Sequence, residues 1–236
     1  MNDKKIAIIG LGYVGLPLAL AFAAHYEVVG FDINPRRIEE LQQGFDSTGE
    51  IDHSELSAVE NLIFTNHAEA IGGCSVYIVT VPTPLHADNT PDLHFLEDAS
   101  ALIGKVLKNG DLVIYESTVY PGCTEEICVP VLEEESGLVY NRDFFVGYSP
   151  ERINPGDRAR KIQDIVKVVS GSNELTAYAV KALYDDVIKA GTHLAPSIKV
   201  AEAAKAVENA QRDVNISFMN ELVLMFDKMG IDTDDV

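Results

Sequence analysis

Lys5-Ile6-Ala7-Ile8-Ile9-Gly10-Leu11-Gly12-Tyr13-Val14-Gly15-Leu16-Pro17 is the stretch that decides the fold. An apolar run reads as a strand, three glycines follow, and an apolar helical pattern opens behind them. A second apolar run, 28–31, ends on Asp32, twenty residues after Gly12. A lone Gly-x-Gly-x-x-Gly says little. Between a strand and a helix, with an acidic residue closing the next strand, it describes a dinucleotide-binding turn. Gly10 allows the tight turn, Gly12 lets the backbone approach a pyrophosphate, and Gly15 lets the helix lie close on the strand. The Asp32 carboxylate accepts ribose hydroxyls and repels an extra phosphate, which favours NAD over NADP. The alternative is a glycine turn that binds nothing.

Working outward, short Val- and Ile-rich runs at 62–65, 76–81, 112–115, 144–148 and 165–170 alternate with helix-like segments at 35–43, 93–107 and 124–135, and 17–24 follows the first turn. Strict alternation of this kind predicts an α/β fold, a Rossmann-like doubly wound parallel sheet covered on both faces. The pattern changes at Pro196. From Ser197 to about Met229 neither proline nor glycine occurs, and apolar residues recur at three- and four-residue spacing, which reads as one long central helix. The expected division is a nucleotide-binding domain at 1–195 and the start of a helical domain at 196–236. Thr80-Val81-Pro82-Thr83-Pro84 follows the fourth strand, where a loop faces the ligand crevice of such a sheet. It fits either a cofactor contact or a rigid turn.

Composition narrows the function classes. A net charge of −19, from 18 basic and 37 acidic residues, excludes a nucleic-acid binder, which needs a basic face. It also requires any pocket for an anionic substrate to be built from a few local cations. No apolar run reaches the roughly 18–20 residues of a membrane span, and the chain opens straight into a strand, so we expect a cytoplasmic protein. Three cysteines without paired short spacing, Cys74, Cys123 and Cys128, argue against a disulfide framework and against a metal site.

Further motifs follow in order. They are Glu116-Ser117-Thr118-Val119-Tyr120-Pro121-Gly122, then Ser149-Pro150-Glu151-Arg152-Ile153-Asn154-Pro155-Gly156, then Ala201-Glu202-Ala203-Ala204-Lys205-Ala206-Val207-Glu208-Asn209-Ala210-Gln211-Arg212-Asp213-Val214-Asn215. Together with the glycine turn, Asp32 and Val81–Pro84, they resemble the UDP-glucose/GDP-mannose dehydrogenase family over essentially the whole chain. The second and third look most like the branch that oxidises UDP-N-acetylhexosamines (UDP-GlcNAc or UDP-GalNAc) at C6. The resemblance implies a four-electron oxidation of C6 from alcohol to carboxylate with two NAD per sugar, through a cysteine thiohemiacetal and thioester, to supply a uronic acid for polysaccharide biosynthesis. It implies catalytic roles for Lys205, Asn209, Glu151 and Thr118. The implied cofactor set is Gly10, Gly12, Tyr13, Val14, Gly15, Asp32, Arg37, Thr80, Pro82, Thr83 and Thr118. The substrate set is Glu151, Arg152, Lys205, Asn209 and Arg212. It also implies a homodimer through the helix 197–229.

The residues read alone are compatible with these roles. Lys205 and Asn209 are four apart on the predicted helix and share a face. A fixed cation beside an amide donor makes an oxyanion site. Thr118 fits a helix N-cap as well as a site residue. Two departures stand against the resemblance. The family's nucleophile, in a Gly-Gly-His-Cys segment beyond the Lys/Asn pair, lies past Val236, as does its second nucleotide-binding domain. We therefore expect a truncated, catalytically incomplete part. Cys123, beside Gly122, is the rival nucleophile or else a small core residue. Two other functions fit part of the pattern. A two-electron 3-hydroxyacid dehydrogenase also sets lysine and asparagine four apart on a helix, and an NAD-binding module would perform no chemistry.

Overall fold

The computed structural model of the chain describes residues 4–152 and 162–236. Residues 153–156 of the Ser149–Gly156 motif therefore lie outside the described residues. Strands β1 (Lys5–Ile9), β2 (Glu27–Phe31), β3 (Leu62–Thr65), β4 (Val76–Val79), β5 (Leu112–Tyr115), β6 (Phe145–Tyr148), β7 (Lys167–Gly171) and β8 (Thr192–Leu194) alternate with helices. Among the described residues they form one sheet in the order β3-β2-β1-β4-β5-β6-β7-β8. The first six strands run parallel. The order reverses between β1 and β4, and this switch point opens the crevice where a doubly wound sheet binds its ligand.

Side chains alternate across each strand, so β1 supplies both layers of the core. Ile6 and Ile8 pack with Phe22 of α1 (Gly15–Ala23) and Tyr184 of α6 (Glu174–Asp185). Ala7 and Ile9 pack on the other face. There Leu96 and Ile103 belong to α4 (His94–Gly104), Leu132 to α5 (Val129–Ser136), and Ile198 and Ala201 to α7 (Ile198–Met229). Two further helices, α2 (Pro35–Gln42) and α3 (His53–Ser57), follow β2.

Three features depart from the sequence reading. First, β7 pairs antiparallel to β6, with Gly147 opposite Gly171 and Tyr148 opposite Ser170. A parallel neighbour needs a crossover, usually a helix, and the sequence reading places no helix between the runs 144–148 and 165–170. Second, α6 and β8 complete a parallel unit with β7 that the sequence reading passes over. Only Leu194 in β8 is aliphatic. Third, the segment read as one helix over 124–135 begins as a π turn at Thr124–Cys128 before α5.

The long helix has the expected ends. The Ser197 side chain accepts the N–H of Val200, and Gly230 closes the helix at φ 70°. Its 32 residues span about 48 Å at 1.5 Å per residue. Only Ile198, Ala201, Glu202 and Lys205 are buried, so the helix leaves the sheet after two turns. Glu202 is its anchor. This carboxylate has no exposed surface and accepts the N–H groups of Gly122 at 2.5 Å and Thr124 at 2.9 Å. Those amides begin the helical segment that leads into α5, where orphan N–H groups need an acceptor. Replacing Glu202 with Ala leaves both amides buried and unpaired. We expect a loss of about 2–4 kcal/mol in urea unfolding, with Glu202→Gln retaining part of it. A Glu202→Ala variant as stable as the parent would show that the anchor is dispensable.

Candidate active site

The first half of the site is the glycine turn at the β1/β4 switch point. Gly10 has φ +95°, and its N–H donates to the Phe31 carbonyl at 2.8 Å. A Cβ on Gly15 would lie 1.8 Å from the Gly10 carbonyl oxygen, whereas a Cβ on Gly12 would meet nothing within 4 Å. The packing glycine and the open glycine of a dinucleotide turn are thus distinguished by space alone, and the clearance above Gly12 fits a pyrophosphate. Tyr13, at 54% exposure, lies beside that space. Asp32 accepts the N–H of Leu11 through Oδ2 and that of Asn34 through Oδ1, each at 2.9 Å. A carboxylate has about four acceptor positions, so capacity remains for ribose hydroxyls.

Two residues of the expected cofactor set serve the turn itself. Arg37 is buried. Its Nε donates to the Leu11 carbonyl at 2.9 Å, and its Nη2 pairs with Asp46 at 2.8 Å. Burial works against the Asp46 charge, but hydrogen bonds from Thr48, Ile51 and Arg37 outweigh it and hold the carboxyl below its ordinary value. The Arg37 guanidinium braces the turn from beneath. The Thr80 hydroxyl likewise donates to the Gly10 carbonyl at 2.7 Å, tying the β4 loop to the turn. Pro82 lies exposed on that loop. The Thr83 hydroxyl reaches the Thr118 carbonyl at 2.7 Å and joins the two loops. Thr118 is exposed and five residues short of the helical segment that starts at Cys123, so it is not the N-cap; Glu202 fills that role.

The second half lies where β5, β6 and β7 meet α7. Glu116 and Lys167 are almost completely buried. Lys167 Nζ donates to Glu116 Oε2 at 2.8 Å, to the Pro150 carbonyl at 3.3 Å and to Glu151 Oε2 at 3.3 Å. The other Glu116 oxygen accepts the Tyr184 hydroxyl. Burial opposes the Lys167 charge, but Glu116 and Glu151 outweigh it and hold the ammonium above its ordinary value. Glu151 Oε1 accepts the N–H of Arg152 at 2.6 Å.

Lys205 enters from α7 and is 8% exposed. Burial pushes its ammonium below the ordinary lysine value. Glu208 and Glu151 oppose this, and Arg212 and Lys167 add to it. Asn209, one turn further, is exposed on the same helix. Arg152 and Arg212 both gather on Glu208, at 3.0 and 3.6 Å from its Oε1. Sequence reading overlooked Lys167, Tyr184 and Glu208, and quoted Glu116 without a role. The one available signal was charge in unusual places: a glutamate directly after the apolar run 112–115, and a lysine opening Val168-Val169.

All three cysteines are buried and free. Cys123 lies in the core cluster behind the sheet and takes no part in the open face of the site. Among the described residues no helix is long and apolar enough to cross a membrane. Among the same residues no group of His, Cys, Asp or Glu side chains is placed to hold a metal ion.

Comparison with known proteins agrees with this geometry. Residues 4–188 match the NAD-binding domain of the UDP-glucose/GDP-mannose dehydrogenase family, and residues 199–236 match its central domain. The chain is 59% identical over its full length to a UDP-N-acetyl-D-glucosamine 6-dehydrogenase of Pseudomonas aeruginosa, of which it covers 56%. A UDP-N-acetyl-D-mannosamine dehydrogenase structure from Pyrococcus horikoshii superposes with a TM-score of 0.90 at 36% identity, over 98% of this chain and 56% of that one. A ternary complex of GDP-mannose dehydrogenase from Pseudomonas aeruginosa gives a TM-score of 0.90 at 25% identity, over 98% and 55%. The chain therefore spans about half the length of the relatives it matches. Fold, turn and motif order converge, and the chain belongs to the UDP-glucose/GDP-mannose dehydrogenase family, carrying its NAD-binding domain.

Proposed function

We propose that this chain supplies the NAD-binding and acid–base part of a cytoplasmic enzyme that oxidises C6 of a UDP-N-acetylhexosamine to the uronic acid, a precursor for polysaccharide. The observation that carries the reading is that Glu151, from the end of β6, and buried Lys205, from α7, lie close enough for their charges to interact. The sugar class is supported by the 59% identity to a UDP-N-acetyl-D-glucosamine 6-dehydrogenase. In this assignment residues 1–195 form the NAD-binding domain and 196–236 open a central helical domain.

The roles follow from the chemistry of each group. Backbone N–H groups at Gly12, Tyr13 and Val14, at the start of α1, face the pyrophosphate, since a helix N-terminus offers unpaired donors to an anion. Asp32 holds the ribose. NAD bound there supplies the hydride acceptor. Glu151 takes the proton of the C6 hydroxyl and later orients water, with Thr118 beside it. The Lys205 ammonium and the Asn209 amide face the oxygen on which charge develops. Arg152 and Arg212, already gathered on Glu208, are the cations available to an anionic substrate. The nucleophilic thiol of the second oxidation belongs, in this reading, to the part of the relatives' length that this chain does not span, because Cys74, Cys123 and Cys128 are all buried.

The helix beyond Lys205 calls for a partner. Val214, Phe218 and Met225 are exposed by 64, 61 and 45%, and burying a large apolar side chain is worth about 1.5–3 kcal/mol. We assign this stripe to a two-fold homodimer, for which a self-complementary patch is the usual basis. Sedimentation at several concentrations should show a dimer that Phe218→Asp with Leu222→Asp dissociates. A parent that stays monomeric at high concentration would remove the dimer.

For the chemistry, Lys205→Ala in the complete enzyme should lower turnover by about 10²–10³, the cost of losing one oxyanion donor, with NAD affinity in calorimetry unchanged. Because burial depresses the Lys205 pKa, the ammonium is lost as pH rises through a value below the roughly 10.4 of a free lysine. Turnover should fall on that alkaline limb. Near-normal turnover in Lys205→Ala would return this residue to a packing role.

A further inference from the structure

We propose that Lys167 is a positioning residue, which fixes the orientation and the negative charge of Glu151 while itself held on Glu116 and Tyr184. This deepens the function proposed above and rests on Glu151 acting in it. The argument begins with a group that packing alone does not explain. A lysine is almost never fully buried unless paired, and Lys167 is 3% exposed at the first position of a core strand. One carboxylate would satisfy its charge. Lys167 instead bridges two, Glu116 at 2.8 Å and Glu151 at 3.3 Å.

The two ends of this bridge differ. Glu116 is 2% exposed, and its other oxygen takes the Tyr184 hydroxyl, so it faces only protein. The Lys167 ammonium also lies 5.5 Å over the Tyr184 ring. That end is an anchor. Glu151 is 8% exposed and looks toward α7 and the Lys205 side. Its Oε2 is fixed by Lys167 and its Oε1 by the Arg152 N–H at 2.6 Å. Two donors on two oxygens set the plane of the carboxylate. A rigidly oriented base is worth more than a mobile one, because the proton must be met within hydrogen-bond reach.

Charge gives the same result. The titratable and charged groups that act on Lys167 are Glu116 after β5, Glu151 after β6 and Lys205 from α7, and its ammonium lies over the ring of Tyr184 on α6. Glu116 offsets the Lys167 charge at the anchor end, and at the other end the Lys167 ammonium, 3.3 Å from Glu151 Oε2, favours the ionised carboxylate. An opposite charge within about 4–6 Å lowers a carboxyl pKa by about 1–3 units. Removing the Lys167 charge should therefore raise the Glu151 pKa, and Glu151 should hold its proton to higher pH.

The test is a carboxyl titration by NMR on the complete protein with glutamate ¹³Cδ labels, in which Glu151→Gln identifies the signal by its loss. Lys167→Met alone leaves Glu116 buried and unpaired and can unfold the protein. The informative variant is therefore Lys167→Met with Glu116→Gln, which removes the anchor pair together. We expect its Glu151 midpoint to rise, since the ammonium removed bonds Glu151 directly at 3.3 Å whereas the Glu116 carboxylate removed with it bonds Lys167 and Tyr184, the acid limb of turnover to follow it, and Lys167→Arg to keep the parent midpoint. An unchanged midpoint in the double variant would overturn the proposal. A midpoint that moves while the turnover limb does not would confirm the hold of Lys167 on Glu151 and remove Glu151 from the chemistry.

Discussion

The Glu202 carboxylate sits on the Gly122 and Thr124 amides, and much of the site depends on that contact. Besides it the first turns of α7 bury Ile198 and Ala201, apolar contacts without direction, and carry the more exposed ion pairs of Lys199 with Glu126 and Glu208 with Arg152. A carboxylate bonded to two backbone N–H groups does not slide, because each bond has a direction and a length. One turn later the same helix face delivers Lys205 to the buried side. The loop that receives Glu202 is the one that carries Thr118. A single polar contact therefore sets the distance between residues that lie far apart in the chain. It also provides the N-cap acceptor that the Thr118 hydroxyl was one candidate to supply.

The site shows how a strongly acidic chain makes room for an anion. At −19 overall, its general field repels a nucleotide sugar. Around α7, however, Arg152, Lys167, Lys205 and Arg212 are interleaved with Glu116, Glu151, Glu202 and Glu208 among the described residues. Short-range pairs dominate here because the groups are buried or half-buried and poorly screened, whereas the distant surface charge is attenuated within about 8–10 Å by salt. The pairing also explains how so many ions are tolerated under little exposed surface. Glu116 and Lys167 hold each other by a hydrogen-bonded ion pair, and Glu202 is held by two backbone N–H groups, as burial requires.

What could be read from the sequence follows the range of the forces involved. The β1 turn, Asp32 and the ends of α7 at Ser197 and Gly230 rest on residues within a few positions of one another, and they are where the sequence places them. Five ordered motifs carry the family for the same reason. The antiparallel direction of β7 was not legible, because strand direction depends on the connection and not on the strand. β8 was missed because three residues with one aliphatic side chain carry no period. The site was half legible. Glu151, Lys205 and Thr118 belong to motifs, while Lys167 finds Glu116 across 51 positions and Glu202 finds Gly122 across 80. Nothing local in one sequence announces such partners. The Arg37–Asp46 pair was not legible for a related reason, since Asp46 lies outside the turn that Arg37 supports.

The central claim is that Glu151 and Lys205 serve an oxidation of C6 that runs through to the carboxylate. The most direct measurement is the yield of NADH per sugar from the complete protein given limiting UDP-N-acetylglucosamine, with the product identified by mass spectrometry. The account predicts two NADH per sugar and a uronic acid, both abolished by Glu151→Ala. One NADH per sugar with a product that stops at the two-electron stage, or full yield from the Glu151→Ala protein, would contradict it.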